Sequence, residues 1–384
     1  MSSQVFHNVW EGINPASVLD SMSMTARRGL QAWLEFMRAT EGITRFIPGK
    51  GNQLAWMEFQ NKLRAFYFFE HADLVLSLPQ QTPVNIHEVL ARLSFLEPAA
   101  SVWIAEGIGR YYADSRRDSA IRGGHLQDTF PPTIHKYLVP LHAGMGLYFA
   151  EGVLSSARQG RSIASSLDQF FKLCRANSQP GFAEVACETL GLAARTLYPH
   201  RVREIDDLLA KRNPEMMPYF WHGIGRGLYF LPTGFFPGDG LSWRAIMKAQ
   251  REPPHALGQL NATAGVAWAL TLVNLRQPEV LEAFLTKYGS GLAHGDAFAN
   301  GVQSALVIWY HCAFEDPSLQ AFGGYLPGSS NTESAHLWKH YVFESSQFAA
   351  QNQRFIANTG HLGELFCYRS LPEWIGEMRK RRAN

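Results

Sequence analysis

The stretch HGIGRGLYF, residues 222–230, decides the fold because close copies of it recur along the chain. Its second half, GRGLYF, matches GMGLYF at residues 144–149. Its first half, HGIGR, matches EGIGR at residues 106–110. Recurrence of one short motif at intervals of a few tens of residues is the sequence signature of a repeat protein.

Six positions anchor the copies, and their spacing indicates a two-helix unit. The anchors are residues 109, 144, 191, 225, 265 and 297, separated by 35, 47, 34, 40 and 32 residues. The copies around 191 and 265 are weaker, and the one around 297 has an alanine at the anchor. Such intervals are typical of helical solenoids. Apolar residues also recur at helix spacing within residues 86–93 and 280–285, so we predict an all-α chain.

Small residues at four-residue spacing predict close helix packing in each copy. Gly223 and Gly227 are four apart, as are Thr263 and Ala267, so each pair shares one helix face. Small side chains on a shared face let a neighbouring helix approach closely. A glycine inside a helix costs up to ~1 kcal/mol relative to alanine, and close packing is the simplest compensation.

Composition and charge exclude several classes of protein. Of the 384 residues, 46% are hydrophobic and 18% are charged, which excludes a disordered chain. The net charge of +2 argues against nucleic-acid binding. The longest apolar run, near residues 265–273, is shorter than the ~18 residues of a membrane span, and no secretory signal is visible. The four cysteines form no Cys-x-x-Cys pair, so we expect reduced thiols in a soluble, cytoplasmic protein.

Polar side chains stand beside the motif glycines in several copies. These candidate catalytic residues are Glu106, His142, Glu188, His222 and His294. If the repeats curve, the five side chains converge on one concave surface, where a Glu/His set binds a metal or supplies general acid–base groups. The alternative is that a neighbouring backbone carbonyl or loop satisfies each of them separately.

Aromatic residues follow the motif glycines and are candidates for lining an apolar ligand cavity. The candidate ligand-binding residues are Tyr111, Tyr112, Tyr148, Phe149, Tyr229, Phe230 and Trp268. Aromatic side chains at helical spacing also pack the cores of helical proteins, and that interpretation stays open beside the first.

A second group of Glu and His residues lies near the C-terminus. Glu333, His336, His340 and Glu344 step by three, four and four residues, which places them on one helical face. Histidines four apart are competent metal ligands, although a solvent-exposed amphipathic face explains the same pattern. The chain has no Walker, Gly-x-Gly-x-x-Gly or Gly-x-Ser-x-Gly motif, and the sequence identifies no cofactor.

The order and spacing of these motifs resemble an uncharacterised bacterial family encoded in enediyne biosynthesis gene clusters. The stretches that carry the resemblance are 106–109, 141–147, 222–230 and 261–305. The resemblance implies an accessory protein of natural-product biosynthesis that binds or processes an apolar, polyketide-like or lipid-like intermediate. It also implies partners associated with a polyketide synthase. This chain departs from the pattern at His142, where the family has a glycine, and at His222 and His294, where it has glutamine-like residues.

We therefore predict three regions: an N-terminal helical cap (1–85), a helical repeat body (86–310) and a C-terminal helical region with a basic tail (311–384). The body is predicted to hold about six helical-hairpin units in an arc-shaped or toroid-like solenoid. Two further functions stay open: a non-catalytic scaffold that docks partner proteins, and a metalloprotein that uses the Glu333–Glu344 face. The sequence also leaves open whether the protein is an enzyme and whether it forms a homodimer.

Overall fold

The computed structural model describes residues 49–78, 85–116, 123–124, 126–127, 130–230, 241–328 and 332–383. Over these ranges the chain is helical and contains no strand, which confirms the predicted all-α class. Residues 1–48 and 79–84 of the predicted N-terminal cap lie outside the described residues.

The α-helices of the described ranges are numbered here in chain order. They are α1 (Lys50–Glu70), α2 (Ala72–Val75), α3 (Ile86–Leu93), α4 (Pro98–Ser115), α5 (Leu138–Arg158), α6 (Ile163–Asn177), α7 (Ala183–Leu197), α8 (Val202–Arg212), α9 (Met217–Phe230), α10 (Leu241–Arg251), α11 (Ala256–Val273), α12 (Pro278–Tyr288), α13 (Gly295–Cys312), α14 (Pro317–Gly323), α15 (Thr332–Trp338), α16 (Glu344–Ala357) and α17 (Leu371–Ala383). Short 3-10 segments include Pro132–Tyr137 and Leu362–Phe366, and a π-helical segment, Lys339–Phe343, joins α15 to α16.

Local sequence signals explain where several helices begin. Proline occupies the first position of α4, α12 and α14, where its missing N–H costs no hydrogen bond. The side chain of Asn85 accepts a hydrogen bond from the His87 N–H and caps α3. The four apolar residues that predicted this helix, at positions 86, 89, 90 and 93, are all buried on one face.

The six motif anchors lie in six different helices, α4, α5, α7, α9, α11 and α13, and each of these packs against the next in that order. One further α-helix lies between consecutive members from α5 onward. Between α4 and α5, by contrast, the described residues hold only the 3-10 segment Pro132–Tyr137.

Close backbone approach explains the motif glycines, as their spacing predicts. A Cβ atom on Gly109 would overlap the carbonyl oxygen of Leu141, and one on Gly225 would overlap that of Ala262. The same overlap with a carbonyl of the adjacent helix holds for Gly144, Gly146, Gly191, Gly223, Gly265 and Gly301. The glycine side of each helix therefore packs directly on its neighbour's backbone, which offsets the low helix propensity of glycine.

The first and last of these six helices also contact each other. The rings of Trp103 in α4 and Trp309 in α13 lie 6.3 Å apart, and His311 reaches the carbonyl of His135 at 3.3 Å. Helix α1 packs against α4, the first of the series, against α11, the fifth, and against α12, which follows α11 in the chain. Helix α1 therefore packs beside helices that are distant from it in sequence.

Helix α11 is largely buried inside the helical body. It is the one described helix that is long and apolar enough to cross a membrane, and 78% of that segment is buried inside the protein. Its apolar residues therefore serve as core of the helical body. All four cysteines are free and buried.

Candidate functional site

Three of the predicted polar residues meet in the interior, on three different motif helices. The Nδ1 atom of His222 in α9 lies 2.8 Å from a carboxylate oxygen of Glu188 in α7. Arg226 lies one turn after His222, on the same face, and donates to the other Glu188 oxygen at 2.9 Å. The same guanidinium donates to Glu106 in α4 at 3.2 Å, so one arginine joins two carboxylates.

Burial sets the protonation of this group. Glu188 and His222 are fully buried, and Arg226 is 2% exposed. Burial lowers the pKa of His222 although Glu188 opposes the shift, so the ring is neutral at pH 7 and its Nδ1–H donates to Glu188. Burial also raises the pKa of Glu106, against the opposing charge of Arg226. Burial disfavours the Arg226 charge as well, but Glu188 and Glu106 outweigh it and its pKa lies above the ordinary value.

Aromatic rings cover the other side of the cluster. The Arg226 guanidinium lies 4.6 Å from the centre of the Trp268 ring, a cation–π contact. The His222 ring makes edge contacts with Trp268 at 6.2 Å and with Phe366 at 6.0 Å. Within the described part of the chain, the His222 Nε2 atom is buried without a hydrogen-bond partner. Trp268 therefore packs on the charged group instead of lining an open cavity.

A partly open cavity of about 290 Å³ lies beside the cluster, between α1 and the motif helices. Glu106 and Arg226 contribute polar groups to its wall. Most of the remaining wall is apolar and includes Phe66, Phe69, Trp103, Leu147, Leu192 and Phe230. We call this space the apolar cavity. Its volume is close to the lower end of the range for small-molecule sites.

A second buried polar network attaches α1 to α9 and α11. The ammonium of Lys62 lies 3.2 Å from the Glu58 carboxylate and 3.8 Å from the centre of the Tyr229 ring. Asn274 donates to the Tyr229 hydroxyl at 2.9 Å and accepts from Asn61 at 3.1 Å. Burial lowers the pKa of Lys62, against the raising effect of Glu58. This network holds α1 over the motif helices.

The predicted ligand-binding aromatics divide into two groups. Tyr112, Phe149, Tyr229 and Trp268 are buried in the core, so the core-packing interpretation applies to them. Phe230 lines the apolar cavity. Tyr111 and Tyr148 line an adjoining cavity with a polar wall.

Two predicted catalytic histidines lie apart from the cluster, which corrects the expected convergence of all five residues. The Nδ1–H of His142 donates to the Leu138 carbonyl at 2.7 Å, and its Nε2 accepts from the Gln179 N–H at 3.1 Å. The ring stacks on Phe182, and burial lowers its pKa to about 4. His294 precedes α13 and lies 3.3 Å from the side-chain oxygen of Gln259. His142 is therefore a structural residue that joins α5 to the segment after α6.

The candidate metal ligands near the C-terminus do not form a cluster. His340 lies 3.3 Å from Glu344, and its ring is 6.5 Å from that of His336. His340 lies in the π-helical segment, which interrupts the α-helical spacing assumed for all four residues, including Glu333. Across the described ranges, no three His, Cys, Asp or Glu side chains are placed to share a metal ion.

Arg226 is not among the candidate residues predicted from the sequence, although the motif carries a signal for it. The motif copies HGIGR and EGIGR both end in arginine, at positions 226 and 110. In the structure both arginines bridge two carboxylates, because Arg110 contacts Glu70 and Glu151 at 3.1 Å each. An arginine at the end of both motif copies is therefore the sequence signal for these two bridges.

Comparison of the chain with models of known families, with curated proteins and with solved structures finds no match. The resemblance to the family of the enediyne gene clusters stays a prediction.

Proposed function

We propose that this protein binds an apolar, polyketide-like molecule in the apolar cavity, as a cytoplasmic accessory protein of bacterial natural-product biosynthesis. The observation that carries the proposal is the composition of the cavity wall. Eight of its thirteen lining residues are aromatic or aliphatic, and the polar ones are Glu106, Arg226, Glu70, Glu151 and Thr196. Small-molecule sites typically combine an apolar lining with a few fixed polar groups that orient the ligand.

The predicted curvature of the repeat body belongs to the same proposal. A toroid-like body with the cavity on its concave side is supported by the order in which the motif helices pack. It is also supported by the contact between Trp103 and Trp309, which joins the first motif helix to the sixth. In this arrangement α1 acts as a cap that covers the concave side.

The polar side chains in the wall of the apolar cavity determine which ligand groups can bind there. A carbonyl oxygen of a polyketide-like chain can accept a hydrogen bond from Arg226, or from Glu106 when that carboxyl is protonated. Glu188 and His222 are positioning residues, because Glu188 holds Arg226, His222 donates to Glu188, and both are buried away from solvent. Among the five predicted catalytic residues, Glu106 alone belongs to the cavity wall, so we assign to it any proton transfer.

Native mass spectrometry of the purified protein tests the proposal. We expect a non-covalent adduct that organic extraction identifies as an apolar, conjugated or lipid-like molecule. Thr196→Trp places an indole in the cavity wall and should abolish the adduct. Thr286→Trp is the matched control, because both threonines bond the carbonyl four residues earlier and Thr286 lies on the exposed face of α12.

Two results would contradict the proposal. The first is a wild-type protein that is empty and binds no added apolar ligand, which would favour the scaffold that docks partner proteins. The second is an adduct that persists in Thr196→Trp, which would place the ligand elsewhere. Circular dichroism of both variants confirms that they are folded.

A further inference from the structure

Glu106 in α4 is the most deeply buried carboxyl in the wall of the apolar cavity, and one of its oxygens has no partner in the protein. The other oxygen accepts a hydrogen bond from Arg226 at 3.2 Å. Across the described residues, this is the one hydrogen bond that the carboxyl makes. Glu106 is 8% exposed. A largely buried carboxyl therefore keeps a hydrogen-bonding atom that the fold does not use.

The second Glu106 oxygen can be reached from the apolar cavity. Two other atoms of the charged cluster also have no partner, His222 Nε2 and Arg226 Nε, and both are sealed from solvent. The second Glu106 oxygen is not among these sealed atoms, and Glu106 lines the apolar cavity. This oxygen is therefore in contact with whatever occupies the cavity.

Two other polar residues of the wall already use their hydrogens within the protein. Arg226 donates from both of its terminal nitrogens, to Glu188 at 2.9 Å and to Glu106 at 3.2 Å. The Thr196 hydroxyl donates to the Leu192 carbonyl at 2.8 Å. Arg226 and Thr196 thus have acceptors from the protein, whereas the second Glu106 oxygen still needs a donor.

Ligand binding changes the surroundings of Glu106 more than those of the other carboxylates in the wall. The side chains of Glu70 and Glu151 are 32% and 29% exposed and are bridged by Arg110, so they stay in contact with water. At Glu106, an apolar ligand that fills the cavity removes water from the second oxygen. A buried polar atom without a partner costs free energy comparable to a lost hydrogen bond. A ligand with a matching polar group avoids this cost.

The protonation state of Glu106 determines which ligand group matches it. Burial raises the pKa of Glu106, whereas the charge of Arg226 opposes that shift. The ionised carboxylate only accepts hydrogen bonds, and the protonated carboxyl also donates one. A hydroxyl both donates and accepts, so it pairs with Glu106 in either state. A carbonyl or ether oxygen pairs only with the protonated form.

We propose that the ligand carries an alcohol hydroxyl that is hydrogen-bonded to the second Glu106 oxygen, with its apolar body along Phe69, Trp103 and Leu147. This inference rests on the proposed function, since it names the polar group of the same ligand. It assigns the ligand to hydroxylated apolar chains and not to chains that carry carbonyls alone. Glu106 is then a specificity-determining residue of the apolar cavity.

Calorimetric titration of the full chain with three probes of similar size tests the inference. The probes are octanol, its isomer heptyl methyl ether, and hexyl methyl ketone. The ether and the ketone accept hydrogen bonds but donate none. At about pH 8, where the ionised carboxylate is favoured, we expect octanol to bind roughly tenfold more tightly than the ether or the ketone.

Glu106→Gln replaces the second oxygen by a group that donates. The amide oxygen can still accept from Arg226, so the amide nitrogen takes the position that faces the cavity. It donates equally to an alcohol, an ether and a ketone, so the preference for octanol should fall to about twofold or less. Glu252→Gln is the matched control, because Glu252 also accepts from an arginine, Arg195, at 3.2 Å and lies outside the cavity wall. This control should keep the wild-type preference.

The wild-type protein alone can overturn the inference, whether or not Glu106→Gln folds. Equal binding of octanol and its ether isomer would overturn it and leave the proposed function standing. A preference for octanol that persists in Glu106→Gln, shown to be folded by thermal melting, would also overturn it. Failure of all three probes to bind the wild type would refute the proposed function itself.

Discussion

Gly265 offers the sharpest test of how the motif helices pack. A Cβ atom at this position would lie 2.9 Å from the carbonyl carbon of His222 and 3.2 Å from the amide nitrogen of Arg226, and it would overlap the His222 oxygen. These are backbone atoms of α9, so no side-chain rotation relieves the clash. In Gly265→Ala, α11 therefore has to move away from α9 at the level of the charged cluster.

Two opposing effects set the change in the free energy of unfolding that we expect for Gly265→Ala. Alanine gains up to ~1 kcal/mol over glycine in helix propensity. Overpacking of a well-packed interior typically costs ~1–3 kcal/mol, and contact with rigid backbone belongs at the upper end of that range. We expect Gly265→Ala to lower the free energy of unfolding by about 2 kcal/mol. Urea denaturation followed by tryptophan fluorescence measures this as a lower midpoint.

Gly152→Ala is the matched control for this prediction. Gly152 lies on the exposed side of α5, and a Cβ there would meet no heavy atom within 4 Å. The higher helix propensity of alanine is then the one effect on stability, so Gly152→Ala should be more stable than wild type by up to ~1 kcal/mol. If Gly265→Ala is as stable as Gly152→Ala, close backbone contact between α9 and α11 is not what the glycine provides.

Three further predictions concern buried and half-buried charge. Between about pH 6.5 and 4 the unfolded chain protonates His142 and the native chain does not, so stability falls as the pH falls, by up to ~1.4 kcal/mol per pH unit. His142→Gln should show a shallower slope in urea titrations across this range. Arg226→Met leaves the buried carboxylates of Glu106 and Glu188 without their cationic partner and should cost about 3–5 kcal/mol in urea unfolding; a loss below 1 kcal/mol would contradict this. Arg110→Met breaks a bridge that is about one-third exposed and should cost no more than about 1–2 kcal/mol in the same assay.

The helical elements could be predicted from sequence because their determinants are local. The apolar spacing of residues 86–93 corresponds to α3, and the small residues around Gly225 and Gly265 correspond to close helix contacts. The contact between α4 and α13 could not be predicted in this way. This contact depends on the angles between successive motif helices added over the whole series. A single copy of the motif does not determine that total angle.

Only part of the candidate site could be predicted from the sequence. Motif position selected Glu106, Glu188 and His222, which do converge, because equivalent positions in packed helices face similar directions. Motif position also selected His142, whose neighbour is a backbone carbonyl one turn earlier in α5. Sequence spacing places a side chain on a helix face, whereas its partners depend on which segment covers that face.

The Arg226 cluster is difficult to explain by stability alone, and this favours a ligand. Buried ion pairs contribute little net free energy, because desolvation cancels most of the attraction between the charges. Methionine at position 226, with uncharged side chains at positions 106 and 188, would avoid that desolvation cost. The bridge instead keeps a guanidinium and a carboxyl at the wall of a largely apolar cavity. Glu188 accepts a hydrogen bond from the arginine, and neutral His222 donates to Glu188. Fixed polar groups in such a wall orient a bound molecule without rearranging when it arrives. The fold thus carries the desolvation cost of a buried charge at the wall of the cavity in which we propose that a ligand binds.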